Sequence, residues 1–114
     1  MKAFADIDQS KRLADILPPE SADMYYEPSP GFCTEPSDAK FGDVKYAHPR
    51  SIRCWSLVAL LNVIPIEHNL HGYLTESGKV YRVETLYAGN SNNYDNPVDA
   101  CYEMLLKLHE QNLL

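Results

Sequence analysis

The segment Arg53-Cys54-Trp55-Ser56-Leu57-Val58-Ala59-Leu60-Leu61-Asn62-Val63-Ile64 constrains this chain more than any other. It is the longest nearly unbroken apolar run and holds the sole tryptophan. Leu57, Val58, Leu60, Leu61 and Ile64 surround a helical axis instead of forming one stripe, so the run predicts a short central helix buried on all sides. Pro65 ends it. Its twelve residues fall short of the roughly 20 needed to span a bilayer, and no membrane partner is expected.

With 114 residues, 45% of them apolar and 23% charged, the chain suits one folded domain over 1–114. Its formal charge of −6 is spread over both halves, which disfavours a nucleic-acid backbone as partner. The start, Met1-Lys2-Ala3-Phe4-Ala5-Asp6-Ile7-Asp8, has no apolar signal core, so a cytoplasmic location is expected. Cys33, Cys54 and Cys101 are odd in number and widely spaced, and read as buried free thiols rather than as a disulfide framework or a zinc ribbon.

Ser10 is placed to cap a short amphipathic helix carrying Leu13, Ile16 and Leu17, which Pro18-Pro19 stops. Ala22-Asp23-Met24-Tyr25-Tyr26, bounded by prolines, suits an edge strand. From about 27 to 50 the prolines, two glycines and lack of periodicity predict a long loop, packed by Phe32, Phe41 and Tyr46. Leu70–Glu76 and Lys79–Tyr87 flank Ser77-Gly78 and read as a hairpin. Pairing Glu76 with Lys79 sets Leu74 opposite Tyr81, Gly72 opposite Val83 and Leu70 opposite Thr85 on one face. Thr75 then meets Val80, Tyr73 meets Arg82 and His71 meets Glu84 on the other.

The polar segment 89–95 has little reason to be ordered by itself. Behind it stands the clearest helix signal, with Asn96 as N-cap, Pro97 in the first position and Asp99 in the first turn. Val98, Cys101, Tyr102, Leu105 and Leu108 form its apolar stripe, and Glu103 and Lys107 make a favourable pair four residues apart. The expected fold class is α+β: a small two- or three-stranded antiparallel sheet with the buried central helix and a C-terminal helix.

Ser21-Ala22-Asp23-Met24-Tyr25-Tyr26, Cys54-Trp55-Ser56-Leu57-Val58-Ala59-Leu60-Leu61 and Asp95-Asn96-Pro97-Val98-Asp99-Ala100-Cys101-Tyr102-Glu103-Met104 resemble landmarks of small uncharacterised proteins of gut Bacteroidetes, often associated with phage or mobile elements. That resemblance implies a source and a phage connection. It brings no activity, ligand or catalytic residue.

Cys54-Trp55 at the start of an apolar helix, with His71 on a following strand, resembles the layout of papain-like cysteine hydrolases. A helix N-terminus favours a thiolate and an adjacent imidazole serves as base. Against this, Ser51-Ile52-Arg53 replaces the glycine-containing sequence that precedes such a cysteine, and a core cysteine is the commoner outcome. His68 and His71, beside Glu67, form a His-x-x-His spacing that offers two metal ligands where zinc takes three or four. His48 and His109 are ordinary, and Asp95 lacks the acidic ligands of a calcium loop. Asp15, Glu20, Asp23 and Glu27 read as a solvated surface.

No Gly-rich phosphate loop is present, and no cofactor is expected. Eight tyrosines, with Tyr25, Tyr26 and Tyr73 foremost, are candidate contact residues. The expected function is therefore non-enzymatic, an interaction or accessory role through an unidentified protein partner or a second copy of the chain on an open sheet edge. The alternatives are the hydrolase using Cys54 and His71 and a small-ligand pocket beneath the 27–50 loop.

Overall fold

The computed structural model describes residues 2–27, 39–42 and 51–114. They form an α+β fold of three helices and two antiparallel sheets, one of three strands and one of two. The first helix, α1 (Ile7–Ala14), begins at Asp6 rather than at Ser10. The Asp6 carboxylate accepts the Gln9 backbone N–H at 2.8 Å, and the Gln9 side chain accepts the Asp6 N–H at 3.1 Å. That reciprocal box satisfies two terminal donors at once. Ser10 is buried inside the helix.

The three-stranded sheet has the order β2-β1-β3, from β1 (Met24–Tyr26), β2 (Ala39–Phe41) and β3 (Ile52–Cys54). Met24 lies opposite both Phe41 and Cys54, so the expected edge strand is the central one. Ala39–Phe41 is a strand inside the stretch read as loop. The rest of that stretch, with Phe32, Tyr46 and the pocket expected beneath it, lies outside the described residues.

The apolar run 53–64 is divided rather than wholly helical. Its first residues belong to β3, Ser56 is the cap, and α2 covers Leu57–Val63. Ser56 Oγ accepts the Ala59 N–H at 3.3 Å while its own hydroxyl and N–H donate to the two carboxylate oxygens of Asp23. The serine hidden among apolar residues is thus a punctuation mark. The helix buries one face, through Ala59 and Leu60, and leaves Val58 65% exposed.

The second sheet is the hairpin of β4 (His68–Thr75) and β5 (Gly78–Thr85). Thr75 pairs with Gly78, Tyr73 with Val80, His71 with Arg82 and Leu70 with Val83, so the register is two residues away from the expected one. The turn residues are Glu76-Ser77. Gly78 follows them at φ +122°, a conformation that side chains oppose. A shift of two preserves which residues share a face. The expected partners therefore still meet diagonally: His71 Nε2 is 3.1 Å from Glu84 Oε1, and the Arg82 guanidinium lies 5.4 Å from the Tyr73 ring centre.

The last helix, α3 (Pro97–Glu110), has the expected cap, with Asn96 Oδ1 accepting the Asp99 N–H at 2.9 Å. It packs on β5 and α2. Its Val98, Cys101, Met104, Leu105 and Leu108 join Trp55, Tyr26, Leu13, Leu60 and Val83 in one continuous core. Glu103 and Lys107 are each engaged by the preceding segment: Glu103 accepts the Asn92 side-chain amide at 2.8 Å, and Lys107 donates to the Asn90 carbonyl at 2.6 Å. The segment 89–95 is therefore held in place. Tyr94 exchanges two backbone hydrogen bonds with Tyr81, at 2.7 and 2.9 Å, and the Ser91 N–H donates to the Val83 carbonyl at 2.9 Å.

Asp99 joins the start of α3 to the first residues of the chain, accepting from Lys2 and Gln9 at 2.8 Å each and from Asn96 at 2.9 Å. Burial disfavours its charge, but the hydrogen bonds from Lys2, Asn96 and Gln9 outweigh this and hold its carboxyl below the ordinary value. A lowered carboxyl contributes stability that is present above its unfolded pKa and lost as pH falls through the folded one. Urea midpoints should accordingly decline below about pH 4. Asp99→Asn should lower stability at neutral pH by about 1–2 kcal/mol and reduce that acid-dependent loss.

Candidate functional site

Cys54 ends β3 inside the core, with no exposed surface. Its thiol lies 3.3 Å from the Ala5 carbonyl oxygen, which also accepts from the Tyr26 hydroxyl at 2.7 Å. Burial pushes the thiol up to about 11, against smaller opposing effects of the neighbouring Ser10 and Tyr26 hydroxyls. Cys101, inside α3, is pushed up to about 12 by burial. A nucleophilic cysteine needs the reverse, a lowered pKa and access to solvent. Cys54 is also two residues upstream of the cap of α2, in a strand, so the helix N-terminus is not at its sulfur.

His71 stands on the hairpin with a half-exposed ring turned to Glu84. Cys54 and His71 thus sit in different sheets with different partners, and the nucleophile–base pair expected from Cys54-Trp55 is not assembled. His68 and His71 fail as joint metal ligands for a geometric reason. Residues three apart in a strand point to opposite faces, and both lie in β4. His68 Nδ1 is engaged with the Ile66 carbonyl at 2.8 Å. Among the described residues no three His, Cys, Asp or Glu side chains gather as a metal site. None of their helices is long and apolar enough to cross a membrane.

The acidic residues near the start of the chain separate as well. Asp23 is the clamp on Ser56, Glu27 pairs with Lys40 at 2.6 Å, and Asp15 and Glu20 are exposed. Of the three foremost tyrosines, Tyr26 is fully buried and contributes to the core, which removes it as a contact residue. Tyr25 and Tyr73 keep partial exposure, and the Tyr73 hydroxyl donates to Asn93 at 2.7 Å.

Large apolar side chains are exposed at several places. Among the described residues Phe41 on β2, expected to pack the 27–50 loop, is 73% exposed, Val58 lies open on α2, and three more lie on or beside the hairpin. Leu74 near its turn is 81% exposed, and Leu86 and Tyr87, just beyond β5, are 72% and 89% exposed. A shallow hollow of about 260 Å³ lies beside Leu86, lined by Glu67, His68, Asn69, Glu84 and Thr85. A second, of about 310 Å³, lies between Lys2, Lys79, Tyr81, Asp95 and Asn96. Tyr87 is one of the eight tyrosines that the sequence offers as contact residues, whereas Leu86 carries no distinguishing signal there. Both extend a strand pattern whose last residues the fold leaves uncovered.

The backbone adds a second feature. Tyr81 and Val83 spend their peptide groups on segment 90–94, so the alternating pattern of an antiparallel pair directs Val80, Arg82 and Glu84 toward β4. Their partners Tyr73, His71 and Asn69 face inward in turn. Leu70, Gly72 and Leu74 therefore point their N–H and C=O groups to the outer edge of β4, where no described residue pairs with them.

In a Cys33→Ser variant, Cys54 and Cys101 should resist a disulfide reagent near neutral pH in the folded protein and both react on unfolding. A thiol with its pKa raised to about 11 has roughly 100-fold less thiolate than a free cysteine near neutral pH. Rapid labelling of Cys54 in the folded state would restore the nucleophile reading. Compared with family models, with curated proteins and with solved structures, the chain matches none of them.

Proposed function

We propose that the protein is a non-enzymatic interaction module that engages a protein partner through its hairpin. The observation that carries this reading is the exposure of the consecutive residues Leu86 and Tyr87, both more than two-thirds open, where the other large apolar residues among those described mostly reach the core. Exposed aromatic and aliphatic side chains next to polar groups are what a protein contact uses. Glu67, His68 and Glu84 line the hollow beside Leu86 here. Leu86 and Tyr87 stand at the end of a strand hydrogen-bonded on both sides, so they are presented from a rigid support. In the setting that the sequence resemblance implies, a phage or mobile element of a gut Bacteroidetes host, the role is that of an accessory protein.

A photoreactive phenylalanine analogue replacing Tyr87 should give a discrete heavier adduct in the cells that naturally make the chain. The same analogue replacing Asp15, exposed at the end of α1, should give none. No adduct at position 87, or equal adducts at both positions, would refute the reading.

A further inference from the structure

The four outer edges of the two sheets are treated unequally. The β3 edge leads into residues bonded to the start of the chain, where the Ala5 N–H donates to the Trp55 carbonyl and the Leu57 N–H to the Ala3 carbonyl. The β5 edge is covered by segment 90–94. The β2 edge is only three residues long and carries Lys40. Short, charged or covered edges are the usual protection against pairing with another chain. The fourth edge, β4, has none of these: His-Asn-Leu-His-Gly-Tyr-Leu-Thr is eight residues without a proline, lysine, arginine or carboxylate. No described residue covers it.

We infer that the outer edge of β4 is a homodimer interface, in which two copies join their hairpins into one four-stranded antiparallel sheet. This rests on the reading of the hairpin as a contact surface, but it assigns the β4 edge to a second copy and leaves Leu86 and Tyr87 free. The register follows from the backbone. Only Leu70, Gly72 and Leu74 turn their peptide groups outward along the middle of the strand, so a two-fold axis must bring outward-facing residues opposite one another.

Centring the axis on Gly72 places Leu70 against Leu74 of the partner subunit, and the reverse, on one face. His71 meets Tyr73 of the partner subunit on the other. About six backbone hydrogen bonds then form across the axis. Centring on His71 would instead oppose two imidazoles, an unfavourable pair whenever both are protonated. Gly72 suits the axis because the Tyr81 ring already fills the space above it, 3.0 Å from where a Cβ would stand. The same arrangement accounts for Leu74, which is 81% exposed in the single chain and would gain an apolar neighbour.

Edge pairing of this extent buries a small area, so micromolar association is expected. Sedimentation velocity under reducing conditions, from about 5 to about 500 µM, should show the mass rising from 12.9 kDa toward twice that value. Leu74→Lys should remain at 12.9 kDa over the same range, while Val58→Lys, also exposed but on α2 away from the edge, should dimerise as the parent does. In the unaltered chain, amide exchange at Leu70, Gly72 and Leu74 should slow with increasing concentration, and that at His71 and Tyr73 should not change. A monomer throughout, a dimer indifferent to Leu74→Lys, or concentration-dependent protection confined to other amides would each overturn the assignment. Because Leu74→Lys leaves position 87 intact, partner crosslinking there can succeed or fail independently.

Discussion

The three residues Cys54-Trp55-Ser56 hold the N-terminal sheet, the first helix and α2 in one arrangement. Cys54 pairs with Met24 and approaches the Ala5 carbonyl, and the buried Trp55 donates its indole N–H to Ser21 at 2.9 Å. Ser56 caps α2 while Asp23 grips it by both hydroxyl and amide. The Trp55 indole and the Ser56 hydroxyl and amide, brought inside by this junction, each have a partner, as buried polar groups need where water is excluded. Free backbone donors at a helix start are costly when buried, and Asp23, from the neighbouring strand, offsets that cost. The apolar residues on either side can then pack without an orphaned peptide group between them.

The second half of the molecule solves a different problem. A two-stranded hairpin is marginal alone, and here it gains what amounts to a third strand from a segment with no strand character of its own. Asn90, Ser91 and Tyr94 hold β5 on one side, and Glu103 and Lys107 of α3 hold that segment on the other. The polar residues of α3 thus act as ties between helix and sheet rather than as a solvated face. One consequence is asymmetry, since among the described residues all the reinforcement falls on β5 and none on the outer side of β4.

Much of this architecture is legible in the chain itself. Asn96-Pro97 with Asp99 specifies the start of α3, and the alternation of residues 70–85 specifies the two hairpin faces, because each rests on contacts within a few residues. The sequence points to a register two residues away because Gly78 looks like a turn residue when it is the one that follows the turn. Cys54 and Ser56 illustrate the opposite case. An apolar run conceals a strand, a cap and a helix because the signal that divides it, Asp23, lies over 30 residues upstream. Ser10 looks like a cap in the sequence, but the box formed by Asp6 and Gln9 starts the helix four residues sooner. The His-x-x-His spacing failed for lack of a known secondary structure, since the same two residues that could converge in a loop diverge in a strand. The candidate contact surface was hardest to read, because exposure depends on what the rest of the fold leaves uncovered.

The division of contacts between the two halves also bears on how the chain reaches this state. The β4–β5 ladder, the clasp of segment 90–94 and the docking of α3 on β5 all join residues that are close in sequence. The N-terminal sheet must instead bring Met24 to Cys54 and Ala5 to Trp55, closing far longer loops. Loop-closure entropy is incurred before such distant contacts return any stabilisation. The segment from His68 to Glu110 is therefore the natural nucleus, a preformed surface on which α1, the three-stranded sheet and the Trp55 junction condense. Substitutions in the hairpin would slow folding, whereas those at the Asp23–Ser56 clamp would chiefly hasten unfolding.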